Sequence, residues 1–200
     1  PKGSSLALSL LLRPDFEAEH APMLTLVMGM AACMAIEKIT GLTAEIKWPN
    51  DVVINKKKTT GILTEMGMSE GKISYVVVGI GINLNMESFP EELAYKATSL
   101  KIECGHEINR DEIAAALLFY FEQYYEKFEQ THNLGFLIEE YNNHLVNRGK
   151  EVLIKEEDGE YTGISRGIND KGELLVEKKD GNCVEIFSGE VSVRGLYGYV

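Results

Sequence analysis

The residues best suited to chemistry form one short cluster, Lys47-Trp48-Pro49-Asn50-Asp51. A proline removes a hydrogen-bond donor from a strand, so it marks a strand edge or a break. After this break, the carboxylate of Asp51 could bind Mg²⁺, and the amide of Asn50 could read the edge of a nucleotide base. A Pro-Asn-Asp sequence is also typical of an ordinary turn, and on chemistry alone the turn is the favoured interpretation.

A second candidate lies where Lys58 enters a strand, three residues before Gly61. The lysine could place its ammonium beside a bound carboxylate or phosphate, and the glycine would allow a ligand to approach the backbone closely. The alternative is a hairpin turn in which the lysines at positions 56 to 58 face water.

A third candidate is Gly79-Ile80-Gly81-Ile82-Asn83. Two glycines that alternate within a buried strand weaken it, and the usual reason is close approach of a ligand or of another backbone. No third glycine opens a helix, so this is not a dinucleotide-binding fingerprint. Asn83 ends the strand, where it could meet a ligand or simply begin a turn.

Composition limits the classes of function. The 200 residues allow one domain with a core, or one domain plus a small appendage. A net charge of −11 without a basic stripe argues against nucleic-acid binding. The three cysteines are too far apart for a zinc motif or a disulfide framework. No apolar run of roughly 18 residues suggests a membrane span. We therefore predict a cytoplasmic protein that binds neither DNA nor membranes.

Hydrophobic periodicity predicts the elements that position these candidates. A helix is expected over 23–39, with Gly41 as its C-cap. The predicted strands are 6–12, buried on both faces, then 44–48, 51–55, 61–67 and 75–82. A sheet of hairpins behind one long helix belongs to the α+β class.

The second half of the chain is predicted to contain helices first and then short strands. Residues 86–105 are expected to form a loop, and 110–129 an amphipathic helix, followed by a helix over 134–144. The apolar face of the first of these helices is Ile113, Leu117, Phe121, Tyr124 and Phe128. From about Asn147, short strands with tight turns predict a small barrel, which divides the chain into domains 1–146 and 147–200.

The three candidate motifs occur in an order and spacing that closely resembles the signature of biotin protein ligases, including those that double as biotin repressors. The match comprises Lys47-Trp48-Pro49-Asn50-Asp51, then Lys58-x-x-Gly61-Ile62-Leu63-x-Glu65, then Val78-Gly79-x-Gly81-Ile82-Asn83. The first residues, Pro1-x-Gly3 and Leu6-x-Leu8-Ser9, and the stretches 163–168 and 189–194 also resemble the family. The resemblance therefore covers nearly the whole chain.

This resemblance implies a class II synthetase-like mixed sheet with flanking helices, related to lipoate ligases, and a C-terminal SH3-like β-barrel. It implies an enzyme of the biotin–[acetyl-CoA-carboxylase] ligase type. Such an enzyme forms biotinyl-5′-AMP from biotin and MgATP, then transfers biotin to a lysine of the carrier domain of a carboxylase. The implied partners are this biotin carboxyl carrier domain and a second copy of the chain in a homodimer.

The resemblance also implies roles for individual residues. Lys58 matches the lysine that contacts the biotin carboxyl and the adenylate phosphate, and Asp51 matches the carboxylate associated with Mg²⁺; both are the implied catalytic residues. The matches to the biotin pocket are Lys58, Gly61, Ile62, Leu63, Gly79, Gly81 and Ile82. The matches to ATP-binding positions are Lys47, Asn50, Asn83 and Arg194. Attack of a carboxylate on a phosphate brings two anions together, which Lys58 and the metal would offset.

Two departures from the family pattern shape our expectations. The family's substrate loop, rich in glycine and arginine, has no counterpart here, so we expect an N-terminally truncated ligase that is inactive alone. The segment after Asn85 also differs from the family's adenine-covering segment. The alternatives are a non-catalytic module for biotin sensing or dimerisation, and a relative of lipoate ligases. Intact Lys58, Asn50 and Asp51 favour an enzyme, and the motif at 47–51 and the barrel argue against a lipoate ligase.

Overall fold

The first five strands form one sheet in which every ladder is antiparallel. In the computed structural model, which describes residues 3–156, 159–187, 192–195 and 200, these strands are β1 (Ser5–Leu12), β2 (Glu45–Lys47), β3 (Asp51–Ile54), β4 (Lys57–Ser69) and β5 (Lys72–Asn83). Their order across the sheet is β1-β5-β4-β3-β2. Strands β2 to β5 therefore each pair with their neighbours in sequence. Strand β1 is the exception, because it pairs with β5.

One face of this sheet is buried, and the other is open except at β3, whose four residues are all buried. Val76, Val78 and Ile82 on β5 are fully buried, whereas Gly81 between them is exposed. The prediction that β1 is buried on both faces is wrong, because Leu11 is 60% exposed. An outer strand of a sheet that is covered on a single face alternates between buried and exposed residues.

One long helix covers the buried face, and a second long helix packs against the first. Helix α1 (Met23–Thr40) ends, as predicted, at Gly41, whose φ of 71° is a left-handed conformation that glycine adopts without strain. It packs against a second long helix of residues Arg110–Thr131. The buried residues of that helix are the five predicted from periodicity, Ile113, Leu117, Phe121, Tyr124 and Phe128. Asn109 starts it, because its side chain accepts a hydrogen bond from Asp111 N at 2.9 Å.

The segment Ala18–Thr40 is long and apolar enough to cross a membrane, by length and composition alone. The sequence prediction had found no segment of that kind. Of its 18-residue window, 67% is buried inside the protein. The core helix of a globular protein can also be this long and this apolar. The burial of most of this segment inside the protein is typical of such a core helix.

Residues 86–105 were predicted to be a loop, but they contain two short helices, α2 (Glu91–Ala94) and α3 (Leu100–Cys104). Ser99 caps α3 by accepting a hydrogen bond from Ile102 N at 3.2 Å. Helices of one turn are too short to produce a recognisable apolar period. Arg110–Thr131 is therefore α4, and α5 (Ile138–His144) follows it, beginning later than predicted.

A second antiparallel sheet follows α5. Its strands are β6 (Glu151–Glu156), β7 (Gly159–Ile168), β8 (Leu174–Lys178), β9 (Cys183–Ile186) and β10 (Ser192–Gly195), in the order β10-β6-β7-β8-β9. Within the described ranges no ladder joins β9 to β10, so the predicted SH3-like barrel stays a prediction. The α+β class is confirmed. Parallel pairing among the described residues is confined to two single bridges, Ile46 with Leu145 and Lys58 with Ala97.

The two sheets are joined by buried contacts. Trp48, which is 2% exposed, donates its indole N–H to Gly172 O at 3.0 Å. Gly172 has a φ of 79°, and a Cβ atom there would lie 2.9 Å from Leu26 Cδ2 on α1. Asn142 on α5 accepts a hydrogen bond from Ile168 N at 2.8 Å. The Trp48 side chain is therefore anchored by the turn between β7 and β8 of the second sheet.

Candidate functional site

A row of cross-strand partners runs across the open face of the first sheet. Strand register places Ala7 opposite Gly81, Gly81 opposite Gly61, and Gly61 opposite Asp51. Lys47 completes the row opposite Asp51. Cross-strand partners share one face of a sheet. The centre of this face therefore has a floor without bulky side chains, and its polar residues lie at one end.

Lys58 joins this face because β4 contains a bulge. Adjacent residues of β3 pair with Thr60 and Lys58, so Thr59 is an extra residue without a partner in that ladder. In a regular strand, residues three apart point to opposite faces. The extra residue shifts the alternation, so that Lys58 lies on the same face as Gly61.

The ammonium of Lys58 forms an ion pair with the Asp51 carboxylate. The Lys58 side chain is 39% exposed, and the Asp51 side chain is 9% exposed. The alternative in which all three lysines face water is therefore wrong for Lys58. The turn itself is made by Asn55 and Lys56, whose φ angles are 49° and 65°. One partner of the ion pair is thus held in the protein, and the other remains accessible to a ligand.

The row borders an open pocket. The predicted site residues that line it are Asn50, Lys58, Gly61, Ile62, Leu63, Gly79 and Gly81. A Cβ atom at Gly81 would meet no atom within 4 Å, so this glycine leaves open space above the floor. Of the two predicted reasons for the alternating glycines, approach of a ligand or of another backbone, the space above Gly81 leaves room for the first, whereas a Cβ atom at Gly79 would lie 3.5 Å from the backbone oxygen of Leu63.

Asn50 is used by the protein itself. Its side chain donates to Ile62 O at 3.1 Å, and its backbone O accepts from Ile62 N at 2.9 Å. Asn50 therefore connects the start of β3 to β4 by two hydrogen bonds beside the pocket. This contact fixes the orientation of the Asn50 amide.

Four predicted residues whose side chains the structure describes do not line the pocket: Lys47, Asp51, Ile82 and Asn83. Ile82 is fully buried on the opposite face of β5. Asn83 donates its side-chain amide to Thr98 O at 3.1 Å. Lys47 is at the far end of the row, opposite Asp51. The side chain of Arg194 lies outside the described residues.

Sequence reasoning missed the contribution of β1. Ala7, Leu8 and Ser9 line the pocket together with Ile80. A Cβ atom at Gly79 would lie 3.8 Å from Ser9 Oγ. The small residues at positions 7 and 9 alternate with leucines, and this period-two signal would have placed them on the open face.

A metal site made by the protein alone is absent from the described part of the chain, where no group of three His, Cys, Asp or Glu residues could hold a metal ion. Asp51 offers a single carboxylate, already paired with Lys58. Mg²⁺ commonly binds through one or two carboxylates and substrate phosphates. The residues therefore fit a Mg²⁺ ion that arrives with a nucleotide, and do not fit a site that binds the metal alone.

The fold and the pocket together define an α+β protein whose open pocket has a floor of glycines and a lysine at one end. Residues 1–83 match the Biotin/lipoate A/B protein ligase family, and residues 149–194 match the Biotin protein ligase C terminal domain. The biotin–[acetyl-CoA-carboxylase] ligase of Paracoccus denitrificans is 30% identical over 190 residues, which are 90% of this chain and 79% of that protein. The chain belongs to the biotin protein ligase family.

Two other proteins extend the comparison. The bifunctional ligase/repressor BirA of Bacillus spizizenii is 37% identical over 194 residues, 96% of this chain but 59% of that protein. The chain thus spans about three fifths of the length of this relative. A structure of the Aquifex aeolicus biotin protein ligase in complex with biotin and ATP superposes with a TM-score of 0.83, at 33% identity, and covers 96% of this chain and 79% of that one.

Proposed function

We propose that the protein is an ATP-dependent biotin protein ligase that forms biotinyl-5′-AMP and transfers biotin to a lysine of a carboxylase carrier domain. The observation that carries this proposal is the position of Lys58, whose ammonium lies over Gly61 at one end of the glycine-floored pocket. A lysine in this place can bind a carboxylate while the floor accepts an apolar chain. The complex of the Aquifex aeolicus ligase with biotin and ATP supports this choice of substrates.

The shape of the pocket suits the acyl chain of biotin. Gly79 and Gly81 provide a floor that a methylene chain can contact closely. Leu63, which is 63% exposed without a ligand, can cover one side of the chain. The ligand carboxylate would then point towards Lys58 and replace Asp51 as its partner.

In the first step, a carboxylate oxygen of biotin attacks the α-phosphorus of ATP. A new P–O bond forms, the bond to the β-phosphate oxygen breaks, and pyrophosphate leaves with the electron pair. The ammonium of Lys58 offsets the repulsion between the carboxylate and the phosphate, and stabilises the negative charge of the transition state. Asp51 would help to hold Mg²⁺ together with the triphosphate, and the metal would supply further charge neutralisation.

In the second step, the neutral amine of the carrier lysine attacks the acyl carbon of the adenylate. An amide bond forms, the C–O bond to the phosphate breaks, AMP leaves as an anion, and the amine releases a proton to solvent. Lys58 holds the phosphate while this charge develops. Neither step needs a nucleophile from the protein.

The partners and the arrangement of domains belong to the same proposal. The carrier domain is the protein substrate, and a homodimer is the expected assembly, in the cytoplasm. Residues 1–146 would bind biotin and ATP, and 147–200 would complete an SH3-like barrel. The match of residues 149–194 to the biotin protein ligase C-terminal domain favours biotin over lipoate as the substrate acid.

Pyrophosphate exchange into ATP, measured with the full-length protein, tests the first step. We expect exchange that depends on biotin and Mg²⁺, and little exchange when lipoate replaces biotin. Transfer of labelled biotin to a carrier domain tests the second step. Biotin binding without exchange would support the non-catalytic biotin-sensing alternative, and exchange that prefers lipoate would overturn the assignment of the substrate.

A further inference from the structure

The backbone of Lys58 is held by a segment that is far away in sequence. Lys58 N donates to Lys96 O at 2.8 Å, and Thr98 N donates to Lys58 O at 2.9 Å. Strand β5 has ended at Asn83, so residues 96–98 take the next place beside β4. This segment therefore fixes the strand position from which the Lys58 side chain extends.

Thr98 also contacts a second predicted site residue. Its carbonyl oxygen accepts a hydrogen bond from Asn83 Nδ2 at 3.1 Å. Thr98 is 1% exposed, so these backbone contacts are shielded from competing water. One buried residue is thus hydrogen-bonded to Lys58 on one side and to Asn83 on the other.

The side chain of Thr98 is hydrogen-bonded to Glu103 on α3. Glu103 Oε1 accepts from Thr98 Oγ1 at 2.5 Å, and Glu103 Oε2 accepts from Asn55 Nδ2 at 2.6 Å. Asn55 lies in the turn that leads into β4, three residues before Lys58. One carboxylate therefore ties the turn before Lys58 to the segment that pairs with Lys58.

We infer that Glu103 and Thr98 are positioning residues for Lys58 in the ligation reaction. The reaction itself rests on the proposed function, whereas the placement of Lys58 does not. Without the carboxylate, the β3–β4 turn and the 96–98 segment lose their common anchor, and the Lys58 backbone is held less firmly. A displaced ammonium stabilises the transition state less, so the effect falls more on kcat than on KM.

Side-chain variants of the full-length protein separate this role from a general effect on folding. Glu103→Ala should lower kcat for adenylate formation by about tenfold, the scale of one or two lost charged hydrogen bonds. Glu103→Gln should stay within about threefold of the wild type, because an amide can accept from Asn55 and donate to the Thr98 hydroxyl. Glu122→Ala, an exposed glutamate on α4, is the matched control and should change nothing.

A double-mutant cycle tests whether the two residues act together. Thr98→Val removes the hydroxyl and keeps the backbone contacts with Lys58. If Glu103 acts through Thr98, the double variant Glu103→Ala/Thr98→Val should be no slower than the slower single variant. Losses in kcat that simply add would overturn the inference, and so would an unchanged kcat in Glu103→Ala.

A readout without turnover separates this inference from the proposed function. Amide hydrogen exchange at Lys58 and Thr98 should be faster in Glu103→Ala than in the wild type, because both amides donate the hydrogen bonds described above. Exchange in α4 should stay unchanged. If the wild type forms no adenylate, the proposed function fails, and the exchange rates still decide the inference. Equal exchange at Lys58 and Thr98 in both proteins would overturn it.

Discussion

The ammonium of Lys58 occupies the space that a side chain at Gly61 would need: a Cβ atom at position 61 would lie 3.1 Å from Lys58 Nζ and 3.2 Å from Lys58 Cε. The glycine of this motif therefore makes room for a protein cation. We had expected Gly61 to allow a ligand close to the backbone, but in the structure the open space lies above Gly81.

Replacement of Gly61 tests this relationship. Gly61→Ala should move the Lys58 ammonium from its place and slow adenylate formation by about tenfold or more, with little change in unfolding midpoint, because the methyl group displaces the end of a flexible side chain. Gly81→Ala is the informative comparison, since its methyl group would enter open pocket space. It should weaken biotin binding and leave Lys58 in place. Calorimetry and pyrophosphate exchange measure the two effects, and identical profiles would argue against separate roles.

Removal of the cation itself should have the largest effect. In the full-length protein that includes the glycine- and arginine-rich loop, Lys58→Ala should slow adenylate formation by about 10²-fold or more, the usual scale for loss of one transition-state contact. Lys56→Ala and Lys57→Ala are the controls and should behave as surface substitutions. Pyrophosphate exchange provides the measurement, and a rate equal to that of the wild type would remove Lys58 from the site.

Asp51 has two possible effects that a single substitution can distinguish. Asp51→Asn keeps the shape of the side chain and removes its charge. If Asp51 helps to hold Mg²⁺ with the nucleotide, the variant should need several times more Mg²⁺ for half-maximal exchange, about fivefold for a loss of roughly 1 kcal/mol. Superimposable Mg²⁺ titrations would show that Asp51 does not help to hold the metal.

The contact between Trp48 and Gly172 should contribute to stability. Trp48→Phe leaves the carbonyl of Gly172 without its indole donor, in a buried place, which should cost about 1–3 kcal/mol of unfolding free energy. Urea unfolding should be followed by circular dichroism, because Trp48 is the only tryptophan and the variant has no tryptophan fluorescence to follow. Tyr95→Phe, at a position that is 69% exposed, is the control. Equal midpoints for Trp48→Phe and the wild type would contradict the predicted contribution.

The charge of the chain predicts its behaviour towards DNA, although the relative from Bacillus spizizenii is a repressor as well as a ligase. With a net charge of −11, this chain alone should not bind duplex DNA at physiological salt, even at about 10 μM protein. Fluorescence anisotropy with a labelled duplex provides the measurement. Binding that weakens as salt increases would show a basic surface that the composition does not reveal.

The sequence predicted those parts of the fold that depend on local periodicity. The buried face of α4 followed from residues repeating at helical spacing, and the end of α1 followed from Gly41. The motif also identified Lys58. It could not show how this lysine reaches the pocket, because the bulge at Thr59 arises from pairing with β3. A strand that is interrupted in this way breaks the alternation on which sequence reasoning depends.

The contacts that sequence reasoning missed join segments that are distant in the chain. Glu103 lies 48 residues after Asn55, and its short helix gave no periodic signal. Thr98 is a small polar residue whose burial depends on everything packed around it. Single residues of this kind carry no local pattern, so their roles become visible only when the strands and the loop are placed together.

The anchoring of Trp48 by Gly172 has a consequence for the order in which the protein can be made. The two residues are 124 positions apart, so a chain that emerges from the ribosome completes its first sheet long before the acceptor for the indole exists. Until then, Trp48 has to remain exposed or find a temporary partner. A nascent chain arrested before residue 172 should therefore be a better chaperone substrate than one that has passed it.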